Sequence, residues 1–236
     1  MSNRRNTLLA LGSGITLLAG ASFLGSSSAS EKAVPLPAPS FDPPNTVGRD
    51  SAVIAGGCFW GVQAVFQHTR GVLNAVSGYS GGEPDKANYA AVSSGRSSHA
   101  EAVQVSFDPA QISYGRLLQI FFSVAHDPTQ LNRQGPDSGP QYRSALFCQG
   151  AAQKQVAQRY IEQLDAARLF PGKIVTQLVD LQAFYPAEAY HQDYATRNPR
   201  APYIVRFDAP KIANLQRLFA PVYRDPPVLV ASQRGT

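Results

Sequence analysis

Two patterns of apolar residues alternate along most of the chain. Short apolar or alternating runs, which are typical of strands, occur at 51–55, 72–79, 101–107, 142–148 and 174–181. Apolar residues spaced as on one helix face occur at 57–67, 114–125, 153–169, 188–196 and 211–219. Because strands and helices interleave with several hairpin-like connections, the pattern predicts an α+β fold: a two-layer α/β sandwich with a mixed sheet and a ferredoxin-like core.

Proline marks the segment before this domain. Residues 31–50 contain Pro35, Pro37, Pro39, Pro43 and Pro44. This composition predicts an extended linker or arm, partly in the polyproline-II conformation, that does not pack as an element. The folded domain is predicted to span 51–220, and the tail at 221–236 is predicted to be irregular.

Residues 1–30 have the organisation of an export signal. Arg4 and Arg5 precede an uncharged apolar stretch at 8–24, and small residues end the segment at Ser28-Ala29-Ser30. The paired arginines match a twin-arginine signal only loosely. An uncleaved membrane anchor is the alternative, but the stretch is short and rich in Gly and Ser for a spanning helix. We therefore expect a periplasmic or secreted protein.

Composition narrows the functional class. Apolar residues make up 44% of the chain and charged residues 16%, which favours a globular core. The net charge of +5 comes from scattered Lys and Arg without a basic run, so a nucleic-acid partner is not expected. The two cysteines, Cys58 and Cys148, invite a disulfide interpretation in an exported protein, but a domain of this size does not need a disulfide to fold.

The segment Gly56-Gly57-Cys58-Phe59-Trp60-Gly61 lies between a predicted strand and a predicted helix. At the first turn of a helix, free backbone N–H groups and the helix dipole favour a thiolate on Cys58. The glycines would let another molecule approach closely, and the two aromatic rings could hold a thioether-like methyl group. The alternative is a glycine-rich turn with a buried structural cysteine.

Glu101 opens the strand at 101–107. Alternation places its side chain on the same face as Val103, Val105 and Phe107. A carboxyl group on an apolar face is expected to have a raised pKa, which makes Glu101 a candidate general acid. The alternative is a strand-end glutamate that reaches water.

A long polar loop at 126–141 is the third feature, because such loops in compact domains are often functional. Asp137 in this loop could accept hydrogen bonds from a substrate amide. Tyr142 after it, and Tyr89 in the loop before Glu101, could donate hydrogen bonds to a substrate oxygen.

These segments together resemble peptide methionine sulfoxide reductases of the A type. Five matching segments occur in the family's order: Gly57-Cys58-Phe59-Trp60-Gly61; Gly78-Tyr79-Ser80-Gly81-Gly82; His99-Ala100-Glu101 through Phe107-Asp108-Pro109; His126-Asp127-Pro128-Thr129-Gln130 through Tyr142-Arg143-Ser144; and Tyr190-His191-Gln192-Asp193-Tyr194. Five motifs in order are far more specific than any one of them.

The resemblance implies a role for each of seven residues. It makes Cys58 the nucleophile, Glu101 the acid, and Tyr89 and Tyr142 hydrogen-bond donors to the sulfoxide oxygen. It also implies that Phe59 and Trp60 bind the substrate methyl group and that Asp137 helps to bind the substrate.

The implied reaction reduces the S epimer of methionine sulfoxide, free or in oxidised proteins, through a sulfenic acid on Cys58. It needs no metal or organic cofactor. It does need an external thiol reductant, such as a thioredoxin-like protein or dithiothreitol.

The sequence departs from the family pattern in two places. Ser97-Ser98 replaces the usual Thr-Gly before His99, a change expected to matter little. Many members carry resolving cysteines near the C-terminus, whereas no cysteine follows Cys148 here. Cys148 is therefore either a possible resolving thiol or, as its place in a strand favours, a buried structural residue.

Three other classes of function compete with this interpretation. An exported cysteine hydrolase or transpeptidase would need a histidine base, and the candidates are His68, His99, His126 and His191. A metal site is not expected, because the histidines and Cys148 show no short ligand spacing. A non-catalytic binding protein is the third class, and it predicts no change in methionine sulfoxide incubated with dithiothreitol.

Overall fold

The computed structural model describes residues 32–44 and 48–230, so the predicted export signal lies outside the described residues. Its main sheet has six strands in the order β7-β6-β1-β3-β2-β8. The strands are β1 (Asp50–Gly56), β2 (Val72–Ser80), β3 (Ala100–Phe107), β6 (Ser144–Cys148), β7 (Gln177–Asp180) and β8 (Phe184–Pro186). A separate hairpin joins β4 (Arg133–Gln134) to β5 (Asp137–Ser138).

The central strands confirm the predicted mixed sheet and ferredoxin-like core. Strands β1, β2, β3 and β6 lie in the order β6-β1-β3-β2, and each adjacent pair among them is antiparallel. Strand β7 pairs in parallel with β6, which makes the sheet mixed. This is the strand arrangement of a split βαβ fold.

Six α-helices accompany the sheet in the described part of the chain. They are α1 (Phe59–Gln67), α2 (Tyr89–Ser93), α3 (Tyr114–Ile120), α4 (Gly150–Ala167), α5 (Tyr194–Arg197) and α6 (Ala209–Leu218). The main core lies between one face of the sheet and helices α1, α3 and α4. Its largest fully buried side chains include Phe66, Phe107, Phe121, Phe122 and Tyr160.

The proline-rich arm packs on the domain, contrary to the prediction of an unpacked linker. Leu36 is buried in the main core. The extended backbone leaves its carbonyl groups free, and side chains of α3 and α4 donate to them. Gln119 Nε2 donates to Leu36 O at 2.7 Å, Tyr160 Oη donates to Pro37 O at 2.8 Å, and Gln163 Nε2 donates to Ala38 O at 3.0 Å. Composition alone could not show that these distant donors meet the arm.

The helix predicted at 188–196 is interrupted. A 3-10 turn at Ala189–His191 is followed by Gln192 and Asp193, and only then by α5. Asp193 has a left-handed backbone, with φ of 55°. The Gln192 side chain bonds to both backbone groups of Ser77, and Asp193 Oδ1 accepts from Gln67 Nε2. These tertiary hydrogen bonds override the local helical pattern.

The predicted helix at 114–125 is also divided. It is α-helical to Ile120 and continues as a π-helix over Phe121–Ala125. A second π-helix over Ile204–Asp208 leads into α6 and was not predicted. Within the described ranges, no helix is long and apolar enough to cross a membrane.

Candidate active site

Cys58 follows Gly57 in the short turn between β1 and α1, at the N-cap of the helix. Contrary to expectation, the preceding glycines do not make room for another molecule. A Cβ atom on Gly56 would lie 2.7 Å from the Phe121 ring, and one on Gly57, where φ is +91°, would lie 2.6 Å from Gln134. The protein's own side chains fill this space, so both glycines are needed for packing and Gly57 also for the turn.

The Cys58 thiol is protonated in the resting site, contrary to the expected thiolate. Burial raises its pKa well above the usual value, and Glu101 and Asp208, where they are ionised, raise it further. The Trp60 backbone N–H does lower the pKa, as the first turn of a helix should, but this effect is smaller. The helix terminus alone would favour a thiolate, but folding brings acidic groups beside it.

Glu101 has the predicted burial and the predicted raised pKa. Its side chain is 2% exposed, and its Oε2 accepts the backbone N–H of Phe59 at 3.0 Å, next to Cys58. Burial raises the pKa of this carboxyl group to about 8, although the Phe59 hydrogen bond opposes the shift. Glu101 is therefore mainly protonated at neutral pH, and its hydrogen bond to Phe59 places this proton donor next to the residue that carries the thiol.

Tyr89 and Tyr142 lie near this pair. Tyr89 opens α2, and Tyr142 ends a 3-10 turn just before β6. Burial raises the pKa of both phenols, and the charges of Glu101 and Cys58 raise both further. Both tyrosines are thus hydrogen-bond donors at neutral pH that share an electrostatic environment with the thiol and the acid.

Aromatic rings form one wall of the site. Phe59 is buried, with its ring centroid 5.0 Å from that of His191, whereas Trp60 is half-buried. The Trp60 ring stacks on Tyr194 at 3.8 Å, and its Nε1 donates to His191 Nδ1 at 3.3 Å. The neighbours Tyr194 and His191 therefore fix the orientation of the ring that was predicted to contact the substrate methyl group.

A cleft opens beside the cysteine and contains the predicted Asp137. Its lining residues are Cys58, Gln134, Gly135, Pro136, Asp137, Tyr203, Phe207 and Lys211. The hydroxyl of Tyr203 donates to Asp137 Oδ2, and the Tyr203 ring meets Trp60 edge-on at 5.8 Å. Tyr203 was not predicted, because it lies just before a π-helix that has no sequence signal, and it reaches the site only through the fold.

A buried ion pair under α1 was also missed. Asp208 is 0% exposed, and its Oδ1 lies 3.7 Å from Lys211 Nζ. Burial raises the Asp208 pKa to about 6. A Cβ on Gly61 would lie 2.1 Å from this carboxylate, so the last glycine of the cysteine motif makes room for an acidic group near Cys58.

Cys148 lies far from Cys58. Strand β6 runs antiparallel to β1, with Ser144 opposite Gly56 and Phe147 opposite Val53. Cys148 follows Phe147, so it lies about 13 Å along β1 from Gly56, whereas Cys58 lies beyond Gly56 at the other end. Disulfide bonding requires Cα atoms within roughly 7 Å, and both cysteines are free. The location fits a buried structural residue.

The histidines do not provide the base that a cysteine hydrolase needs. At least one ring nitrogen of each contacts a group other than Cys58: His68 the Arg224 carbonyl, His99 the Glu83 carbonyl, His126 the Phe121 carbonyl and Ser144 hydroxyl, and His191 the Trp60 indole. Burial also lowers the His126 pKa to about 3. In residues 32–44 and 48–230, no group of three or more His, Cys, Asp or Glu side chains could hold a metal ion.

Comparison with known proteins decides the family. Residues 50–220 match the family model described as peptide methionine sulfoxide reductase. The chain belongs to this family. The reductase is 58% identical over 185 residues to peptide methionine sulfoxide reductase MsrA 2 of Mesorhizobium japonicum. The aligned residues make up 78% of this chain and 95% of the relative. It is 51% identical over 191 residues to the Synechocystis MsrA 2, covering 80% and 89% respectively.

Solved structures agree with this assignment. Reduced Mxr1 of Saccharomyces cerevisiae superposes with a TM-score of 0.60 at 32% identity, covering 69% of the reductase and 92% of the yeast chain. Methionine sulfoxide reductase A of Corynebacterium diphtheriae gives a TM-score of 0.57 at 33% identity, covering 75% and 92%. The protein is an oxidoreductase that reduces methionine sulfoxide, a protein-repair activity, and no comparison supports the hydrolase alternative.

Proposed function

We propose that the reductase acts on the S epimer of methionine sulfoxide and forms a sulfenic acid on Cys58. The single observation that carries this proposal is the Phe59 backbone N–H bonded to Glu101, which brings a protonated carboxyl group beside the only half-buried cysteine of the described chain. The resemblance to the A type supports the choice of epimer, since different enzymes reduce the two sulfoxide epimers.

The proposed reaction begins with proton transfer. Glu101 gives its proton to the sulfoxide oxygen, while the phenols of Tyr89 and Tyr142 donate hydrogen bonds to the same oxygen. The Cys58 thiol loses its proton to the emptied carboxylate, so Glu101 is restored. Because the carboxylate takes up this proton, Glu101 is neutral again when the sulfur nucleophile has formed, and its charge no longer opposes the thiolate.

Oxygen then moves between two sulfur atoms. The Cys58 thiolate attacks the sulfur of the protonated sulfoxide and forms a sulfur–sulfur bond. The oxygen then shifts to Cys58 as this bond and the original sulfur–oxygen bond break, and two electrons pass to the methionine sulfur. The products are methionine and Cys58 sulfenic acid, with all atoms accounted for. Trp60 and Phe59 hold the substrate methyl group, and Asp137 with Tyr203 binds the substrate backbone.

The experiment that tests this function uses separated epimers. Purified protein is incubated with each epimer of a methionine sulfoxide peptide and with dithiothreitol, and methionine is measured by chromatography. We expect turnover of the S epimer at least about a hundredfold faster than of the R epimer. Equal rates for both epimers would refute the proposed specificity, and no methionine from either would refute the function.

We also propose that an external thiol recycles Cys58 directly. The distant position of Cys148 supports this step. One thiol attacks the sulfenic acid, giving a mixed disulfide on Cys58 and water, and a second thiol releases the Cys58 thiol as an external disulfide forms. A thioredoxin-like protein or dithiothreitol supplies both thiols.

Cys148→Ala is expected to leave recycling unchanged, because the replaced thiol cannot reach Cys58. Single-turnover mass spectrometry without reductant should show one added oxygen on Cys58 in the wild type and in the variant alike. A bond between Cys58 and Cys148 in the wild type would contradict the proposed recycling. So would a large loss of steady-state rate in a stably folded variant.

We propose that the protein is exported to the periplasm or secreted. The basic start at Arg4 and Arg5, the apolar stretch and the small residues before Glu31 support this location. Fractionation of a bacterial host that expresses the full chain provides the test. Recovery of the protein only from the cytoplasm, with the N-terminal segment intact, would exclude export.

A further inference from the structure

Glu188 connects two tyrosines through its single carboxylate. It lies half-buried between β8 and the 3-10 turn at Ala189–His191. Its Oε2 accepts the hydroxyl of Tyr79 at 2.8 Å, and its Oε1 accepts the backbone N–H of Tyr89 at 2.9 Å. Although burial opposes the charge, hydrogen bonds lower the pKa of this carboxyl group, so it is ionised at neutral pH. Charge-assisted hydrogen bonds of this kind are stronger than neutral ones.

The Tyr79 end of this connection is rigid and belongs to the active site. Tyr79 is 0% exposed, and on β2 it is the register partner of Glu101 on β3. Directly opposite residues in an antiparallel pair have Cα atoms about 5 Å apart. The hydrogen bond to Tyr79 therefore anchors Glu188 at the strand position directly opposite Glu101.

The Tyr89 backbone has few other anchors, although its ring contacts that of His191, with the centroids 4.5 Å apart. Helix α2 has five residues, and only Val92 in it is buried. A helix this short is not stable alone. Gln141 Nε2 donates to the Ser93 carbonyl at 3.3 Å, which secures the far end of the helix. Glu188 supplies the charged anchor at the end where Tyr89 begins.

We propose that Glu188 is a positioning residue, which fixes Tyr89 relative to Glu101 so that the sulfoxide oxygen meets the phenol and the acid together. This inference rests on the proposed function, because it takes Tyr89 as a donor to that oxygen. No other contact in the described chain links the Tyr89 backbone to the strand position opposite Glu101.

The kinetic test is a double-mutant cycle with Glu188→Ala, Tyr89→Phe and the double variant. Glu188→Ala should lower kcat about tenfold with little change in KM, because a misplaced donor weakens the transition state more than binding. The double variant should be no slower than Tyr89→Phe, since Glu188 acts through Tyr89. Multiplied losses in the double variant would overturn the proposal.

Glu188→Gln is the matched variant. Its amide oxygen can accept from the Tyr89 N–H while its amide nitrogen donates to the Tyr79 oxygen, so geometry is kept without the charge. We expect it to recover most of the lost kcat. A glutamine variant as slow as Glu188→Ala would show that charge, rather than position, matters, and would contradict the proposal.

Amide hydrogen exchange tests the contact independently of catalysis. Glu188→Ala should lower protection of the Tyr89 amide at least about tenfold, whereas the β3 amides should keep theirs, which shows that the variant folds. Unchanged protection at Tyr89 would refute the proposal even if activity fell. Failure of the proposed function is recognised differently: the wild type would then release no methionine from the S sulfoxide. Failure of the donor role alone would appear as a Tyr89→Phe variant that reduces the S sulfoxide at the wild-type rate.

Discussion

Replacing Cys58 with serine is expected to lower methionine sulfoxide reduction by at least about four orders of magnitude, which is typical of losing a nucleophile. A hydroxyl group is a much weaker nucleophile than a thiolate and cannot be oxidised to a sulfenic acid. The fold should tolerate the change, because Cys58 occupies the N-cap of α1 and serine is a favoured N-cap residue. Methionine release, measured by chromatography, provides the assay.

Cys148→Ala is the matched control for Cys58→Ser, because it removes the other cysteine at the far end of the sheet. Circular dichroism and thermal unfolding of both variants confirm that each is folded. If Cys58→Ser retained activity while Cys148→Ala lost it, the nucleophile would have been assigned to the wrong end of the molecule.

The parts of the site that could be predicted depend on local patterns. The strand–glycine–cysteine–aromatic segment predicted the turn that places Cys58 at a helix start. Period-two alternation placed Glu101 on the buried face with Val103, and the structure has it there with a raised pKa. In both cases one short stretch of sequence determines where in the fold the residue lies.

The parts that could not be predicted depend on residues distant in sequence. Asp208 reaches Cys58 only because α6 packs against α1, and its charge helps to reverse the expected effect of the helix terminus on the thiol pKa. Tyr203 comes from the residue before a π-helix, and Glu188 bonds to Tyr89, which lies 99 residues away in the sequence. Local periodicity contains no information about such contacts between distant residues.

Glu101→Gln is expected to reduce turnover about 10²- to 10³-fold, the usual contribution of a general acid. Glutamine still accepts the Phe59 N–H but has no acidic proton. The rate of the wild type should be nearly constant below pH 8 and fall above it, because the protonated form is the active one and its pKa is about 8. In the variant, kcat/KM should not fall above pH 8. An unchanged fall would show that the titration of another group causes it.

The same substitution is expected to stabilise the fold. The folded protein keeps a proton on Glu101 up to about pH 8, whereas the unfolded chain releases it near 4.5. A pKa difference of one between the folded and unfolded states corresponds to about 1.4 kcal/mol. The free energy of unfolding of the wild type therefore falls by up to about 3 kcal/mol between pH 4.5 and pH 7, and glutamine avoids this loss.

Urea unfolding at several pH values checks the sign of this effect. The free energies of unfolding of wild type and Glu101→Gln should converge near pH 4, where the carboxyl group is protonated in both the folded and the unfolded chain. They should separate as the pH rises and stop separating above about pH 8, where the folded protein also releases the proton. Equal stabilities at pH 8 would mean that Glu101 is ionised without cost, and a carboxyl group in that environment could not serve as the acid.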